Sequence, residues 1–178
     1  MDMFIEKLVK RKRSGKDTAI TAAIVITTVL LVFIAANAVL GFEALHMFVS
    51  ILPFVIAGLI FVCYKLVTAR NVEFEYSLTN NEMDIDRIVH RRKRKRIATV
   101  NARNIDVLAP ISSEKYAREA NSSSIAKKLD CSSGDGNSST HFVVFHDKEG
   151  GKTLLVFEPN EKILAGFKRY SPNKVFDV

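Results

Sequence analysis

The sequence predicts a two-part chain: a membrane α-helical hairpin of two transmembrane helices, then an α+β cytoplasmic domain of antiparallel strands capped by a C-terminal helix. Three observations carry this. The stretches Thr18 to Leu40 and Ala44 to Tyr64 contain no Asp, Glu, Lys or Arg, in a chain of 178 residues that holds 26 basic and 19 acidic ones. From Asn71 onward, apolar and polar residues alternate with the period of β-strands. Near the end, Ile163, Leu164, Phe167 and Tyr170 recur at helical spacing.

At 1.5 Å per residue, helices over about 18–40 and 44–67 each span roughly 30 Å, the thickness of the bilayer's hydrocarbon core. A helix pair buried in a soluble core would keep a polar stripe for water. The first run has Ala, Ile, Val, Leu, Phe and Thr on every side, with Asn37 its strongest polar group, and the second run is equally apolar. Pro53 and Gly58 are tolerated in membrane helices, where neighbouring groups satisfy the freed backbone. The triplet Ala36-Asn37-Ala38 meets the formal description of a signal-peptide cleavage site, but the apolar run is too long for one and a second run follows almost at once.

Only Gly41, Phe42 and Glu43 separate the runs, so the helices are antiparallel and both termini lie on one side. Lys7, Lys10, Arg11, Lys12, Arg13 and Lys16 precede the first run, Lys65 and Arg70 follow the second, and the turn carries only an acid. The positive-inside rule then gives a multi-pass protein of the cell membrane with both termini cytoplasmic. In that reducing compartment Cys63 and Cys131 form no structural disulfide. The Asn-X-Ser matches at Asn121 and Asn137 are chance.

Residues 1–17 form a basic amphipathic segment. Phe4, Ile5, Leu8 and Val9 at helical spacing read as a short helix on the inner leaflet, with a plain basic tail as the alternative.

The domain occupies residues 71–178. Val72, Phe74 and Tyr76 alternate with Glu73, Glu75 and Ser77. Thr79-Asn80-Asn81 then turns the chain into a second strand carrying Met83 and Ile85. Ile97 to Val100 and Ile105 to Leu108 read as further strands, ended by Pro110. Residues 111–139, with Ser122-Ser123-Ser124 and Ser132-Ser133, read mostly as a long mobile loop, with a short helix possible at 113–120 or 124–129. Phe142 to Phe145 and Thr153 to Phe157 flank a Gly150-Gly151 turn as a hairpin. Pro159-Asn160 opens the last helix and Ser171-Pro172 closes it.

This order resembles the bacterial pleckstrin-homology (PH)-like domains. The resemblance rests on Glu75-Tyr76-Ser-Leu-Thr79-Asn-Asn-Glu-Met-Asp-Ile85, the basic turn after it, and Ile97-Ala-Thr-Val-Asn-Ala-Arg-Asn-Ile105. The close, Leu154-Leu-Val-Phe-Glu-Pro-Asn-Glu-Lys-Ile-Leu164, is similar to a family of small two-span bacterial membrane proteins that carry this domain. The resemblance implies a PH-like, strongly bent antiparallel β-sheet or barrel of seven strands capped by a helix, with no catalytic residue to carry over.

The most unusual local feature is His90-Arg-Arg-Lys-Arg-Lys-Arg96. In a strand, Arg91, Lys93 and Lys95 point one way and Arg92, Arg94 and Arg96 the other, so neither face enters a core. The run is therefore an exposed turn or sheet edge, either solvated edge protection or a contact for anionic lipid. Arg91, Arg92, Lys93, Arg94, Lys95 and Arg96, with Lys10, Arg11, Lys12 and Arg13, are the candidate lipid-binding residues. Nucleic acid fits less well, because no aromatic residues interleave with the run.

No catalytic constellation, metal site or cofactor motif stands out. His141 and His146 fall on opposite strand faces, Cys131 lies in the Ser-rich segment, and Asp84 and Asp86 beside Arg87 read as surface. The spans carry no ionisable group for an ion path. The sequence thus points to a non-enzymatic, membrane-anchored binding or scaffold module, contacting anionic headgroups or a membrane or cytoplasmic protein partner. The alternative is an accessory subunit of a larger membrane complex for transport or the envelope; a membrane-bound enzyme is a distant third.

Overall fold

The computed structural model describes residues 4–90, 92–136, 139–147 and 150–176. They form two compact units. The first joins the N-terminal stretch up to Lys12 with the chain from Val72 onward; the second is Arg13–Asn71.

In the first unit, the N-terminal segment is not a helix but strand β1 (Phe4–Lys10), antiparallel to β2 (Val72–Thr79) from Phe4 opposite Thr79 to Lys10 opposite Glu73. The spacing of Phe4, Ile5, Leu8 and Val9 fits a helix, whereas a strand takes Ile5 and Val9 to one face and Phe4 and Leu8 to the other. What selects the strand is a partner far along the chain: Ile5, Lys7 and Val9 turn inward, and Val9 is buried. The hydrogen bond from Arg11 N to Val72 O, 3.0 Å, extends the ladder. Residues 71–178 are therefore not the whole domain.

A turn at Asn80, whose φ of 53° is one that Asn tolerates, leads from β2 into β3 (Glu82–Val89). A second turn, with His90 at φ 53°, leads into β4 (Lys93–Asn101). These strands complete a sheet of order β1-β2-β3-β4, bulged between Ile85 and Asp86. The second sheet has the order β5-β7-β8-β6, built from β5 (Ile105–Pro110), β6 (Ile125–Asp130), β7 (His141–His146) and β8 (Lys152–Phe157). The described residues thus hold eight strands rather than seven. One pairing, β6 with β8, is parallel rather than antiparallel.

The main core lies where the inner face of the first sheet, with Tyr76, Leu78, Met83 and Ile85, meets Leu108, Val143, Phe145, Leu155 and Phe157 of the second. Helix α4 (Glu161–Tyr170) closes it with Ile163 and Phe167, and the Asn160 side chain caps the Ile163 N–H at 2.8 Å. Each such fully buried side chain stabilises by about 1.5–3 kcal/mol.

The Ser-rich segment is only partly a loop. Helix α3 (Glu114–Ala120) covers the other face of the second sheet, where Tyr116 meets Phe142 edge-on at 5.3 Å. Residues 125–130 are strand, not helix, because β8 offers them an open edge. Cys131, Ser132 and Ser133 are buried beyond it. Asn137 lies outside the described residues.

The second unit contains α1 (Gly15–Gly41), a 3₁₀ turn at Glu43–Phe48, and α2 (Leu52–Thr68). The helices run antiparallel, since Arg70 beyond the end of α2 pairs with Asp17 in the first turn of α1. Arg13 also donates to Asn71 at 2.9 Å. Among the described residues, α1 alone is long and apolar enough to cross a membrane, with mean hydropathy 2.7 over its most apolar window. Helix α2, at 17 residues, reaches only about 26 Å. It starts at Leu52 rather than Ala44 because Pro53, which lacks an N–H, suits a first helical turn and not an interior. Neither helix buries a residue. Thr21 and Thr28 donate to the carbonyls of Asp17 and Ile24, each at 2.8 Å, and Asn37 to that of Phe33 at 2.8 Å. These three polar side chains thus satisfy themselves on their own helix backbone.

The pairing of β1 with β2 makes a prediction about domain boundaries. Joining Lys12 to Val72 through a short Asn-Gly turn should give a folded, soluble domain with one cooperative thermal transition. A fragment starting at Asn71 loses the burial of Val9 and half of Ile5. It should be less stable by at least about 2 kcal/mol or aggregate through the exposed edge of β2. Equal stability of the two proteins would show β1 to be dispensable.

Candidate functional site

The basic run is resolved into a turn and an edge strand. Arg91 lies outside the described residues, Arg92 sits in the turn after His90, and Lys93 to Arg96 form the first half of β4, all exposed. Register decides what each side chain meets. Arg94 stands opposite Ile88 and Arg96 opposite Asp86; on the next strand Asp86 stands opposite Glu75. Arg94 and Arg96 therefore share the outer face of the sheet with Glu75, Asp84 and Asp86.

They are neutralised there. Arg94 Nη2 lies 2.6 Å from Glu75 Oε2, and Arg96 Nη1 lies 2.6 Å from Asp84 Oδ1 while its Nε donates to Asp86. Thr99 adds a 2.7 Å hydrogen bond to Asp84. The partners are unequally placed: the Arg94 side chain is 57% exposed, that of Glu75 only 7%. Burial pushes the Glu75 carboxyl above its ordinary value against the pull of Arg94, with repulsion from Glu6 and Asp86 adding to the rise. Arg94 is a lid on a buried carboxylate.

Lys93 and Lys95 point the other way. Lys95 stands opposite Arg87 and Lys93 opposite Val89, which faces Val72. Arg11, bonded to Val72 O, comes to the same end of the sheet. Arg11 and Arg87 lie near enough to the Cys131 thiol for both charges to act on it. Desolvation, with Asp130 adding, nevertheless pushes that thiol up to about 12, so it stays protonated. Far from lying in a loose polar segment, Cys131 is a core residue whose carbonyl accepts from Tyr76 Oη at 2.6 Å.

The remaining candidates, Lys10, Lys12 and Arg13, do not join this group as one patch. Lys10 stands opposite Glu73 on the outer face, and Lys12 is tied to the Ser-rich segment by an ion pair to Asp135 and a 2.8 Å bond from its N–H to Ser133 O. Ser133 in turn donates to the buried Glu158 carboxylate, 2.8 Å from its N–H. Arg13 belongs to the second unit. The acids that hold Arg94 and Arg96 were missed by sequence reasoning. Their signal was the matching i, i+2 spacing of Glu73/Glu75, Asp84/Asp86 and Arg94/Arg96 across three consecutive strands.

Elsewhere, an open groove of about 430 Å³ at the far end of β1 is lined by Phe4, Ile5, Glu6 and Asn160–Lys162. Its charged groups are exposed and form no catalytic arrangement. No cluster of three or more His, Cys, Asp or Glu side chains suited to a metal exists among the described residues.

The lid arrangement has a pH signature. Arg94→Gln should lower stability by about 1–3 kcal/mol at neutral pH, measured by denaturant unfolding in detergent micelles. A carboxyl with a raised folded value binds its proton more tightly in the fold. Its contribution is therefore full below the ordinary value and is lost as pH rises through the raised one. The penalty of Arg94→Gln should shrink toward acid pH and largely vanish in the double variant with Glu75→Gln. A penalty constant with pH would assign the effect to packing alone.

Two sheets of four strands, closed by a C-terminal helix over their shared core, fit the framework of a PH-like domain. A family of sequences described as bacterial PH-like domain (DUF6106) matches residues 1–177. No curated protein and no solved structure matches the chain. The match takes in β1, the helical insert and every later strand, so this protein belongs to the bacterial PH-like domain family DUF6106.

Proposed function

We propose that this protein is a non-enzymatic, membrane-anchored binding module, whose helical insert crosses the cell membrane twice and holds the PH-like domain at the cytoplasmic surface, where it contacts anionic lipid headgroups. The observation that carries the reading is the pairing of β1 with β2 on either side of the insert. Strands in register at Lys10 and Glu73 require residues 13–71 to leave and re-enter at one end of one sheet. If α1 crosses a bilayer, the chain must cross again to rejoin β2, whatever the length of α2. The number of crossings is then even.

The chemistry of the insert supports a lipid environment. Many of its large apolar side chains are exposed, and Thr21, Thr28 and Asn37 bond to their own helix, as polar groups must where no water is present. The shortfall of α2 against a 30 Å core is within reach of the apolar residues 44–51 ahead of it and of local bilayer thinning. Orientation follows from Lys7, Lys10, Arg11, Lys12, Arg13, Lys16, Lys65 and Arg70 at the open end against Glu43 at the turn.

The test is protease accessibility of the full-length protein in intact cells. Epitopes at the two termini should both be protected, and one inserted after Gly41 should be cleaved from outside. Cleavage of one terminal epitope alone would mean a single crossing and would overturn the anchor. Cleavage of neither terminus nor turn would mean an insert that lies in the inner leaflet without spanning.

A further inference from the structure

The basic strand has two faces, and only one of them is free to meet an anion. On the outer face the carboxylates of Glu6, Glu73, Glu75, Asp84 and Asp86 outnumber the cations of Lys10, Arg94 and Arg96. An anionic surface approaching there meets closed ion pairs and a surplus of like charge. Engaging Arg94 or Arg96 would also expose the buried Glu75 and Asp86 carboxylates without their partners, which opposes binding.

On the inner face, at the end of the sheet beyond the core residues Tyr76 and Ile85, Arg11, Arg87, Lys93 and Lys95 are exposed and pair with no described carboxylate, and Arg92 in the adjoining turn is likewise unpaired. These cations come from the end of β1, from β3 and from β4, brought together by register at the end of the sheet where the chain leaves for the insert. Only Arg13 and Ser14 separate Lys12 from α1.

We infer that the anionic-headgroup contact of this domain is the face carrying Arg11, Arg87, Arg92, Lys93 and Lys95, and that Arg94 and Arg96 are internal ion-pair partners taking no part in it. This rests on the reading of the protein as a module anchored at an anionic bilayer surface. It adds Arg87, which stands outside the basic run, and removes the two arginines whose charge the fold already uses. The ligand is the phosphate of a glycerophospholipid headgroup, recognised as a charged surface rather than in a closed pocket.

The experiment uses the full-length protein in lipid nanodiscs of phosphatidylcholine, alone or mixed with phosphatidylglycerol. Lysine acetylation and arginine modification by phenylglyoxal are followed residue by residue by mass spectrometry. Acetylation of Lys93 and Lys95 and modification of Arg87 should slow by about fivefold or more when phosphatidylglycerol is present. Lys127 on β6 and Lys162 on α4 should be unaffected, as should Arg94 and Arg96. Slowing confined to Arg94 and Arg96 would overturn the choice of face while leaving the anionic contact standing. No slowing at any basic residue would remove the anionic contact itself. Equal protection in phosphatidylcholine discs by inorganic phosphate or an RNA oligonucleotide would make the face a site for soluble polyanions and overturn the lipid assignment.

Discussion

The ladder between β1 and β2 is the constraint on which the rest depends. It joins segments separated by the whole helical insert, and closing so long a loop carries an entropic penalty that grows only slowly with length. Seven register pairs, the burial of Val9 and the extra bond from Arg11 to Val72 offset it. The result is a discontinuous domain in which the insert occupies the position of an ordinary hairpin loop. Both ends of the insert are then fixed beside one another, and the Arg70–Asp17 and Arg13–Asn71 contacts within it repeat that closure.

The second constraint is the two-residue period of a strand. It divides six consecutive basic residues into groups with different fates, because β3 and β2 bring carboxylates to one face only. Arg94 and Arg96 cover Glu75 and Asp86, carboxylates that could not otherwise be so buried on the outside of a sheet. The same alternation leaves Lys93 and Lys95 beside Arg87. A basic run counted by composition thus overstates the charge that any one face presents.

Features set by local pattern were legible in the sequence. The two apolar runs, the hairpin turn at Asn80, the strands around Gly150-Gly151 and the helix carrying Ile163 and Phe167 all declare themselves within a short window. What was illegible depends on distant partners. Phe4, Ile5, Leu8 and Val9 satisfy a helical spacing, and only β2 makes them a strand. Residues 125–130 have just Ile125 and Leu129 as large apolar side chains, and they become a strand because β8 leaves an edge for parallel pairing. The serines around Cys131 read as solvated, yet Ser133 is drawn in by Glu158 and Lys12. At the site, the cations were visible and their neutralisation was not, since Glu75, Asp84 and Asp86 acquire meaning only through cross-strand register.

A domain held by two short connections differs physically from one on a single tether. One flexible linker lets a domain turn freely, so each surface contact must oppose the full loss of rotational freedom. Residues 13–14 and 69–71 are here the two connections that join the helices to the paired strands β1 and β2. Each cation near an anionic leaflet contributes only about 1 kcal/mol, too little for a free domain to bind firmly through four or five of them against the loss of its own motion. On the anchorage proposed above, the apolar helices would already meet that association term, so that contacts of this size suffice. The charge division on β4 then separates the cations still available for such a contact from those that the fold has already paired.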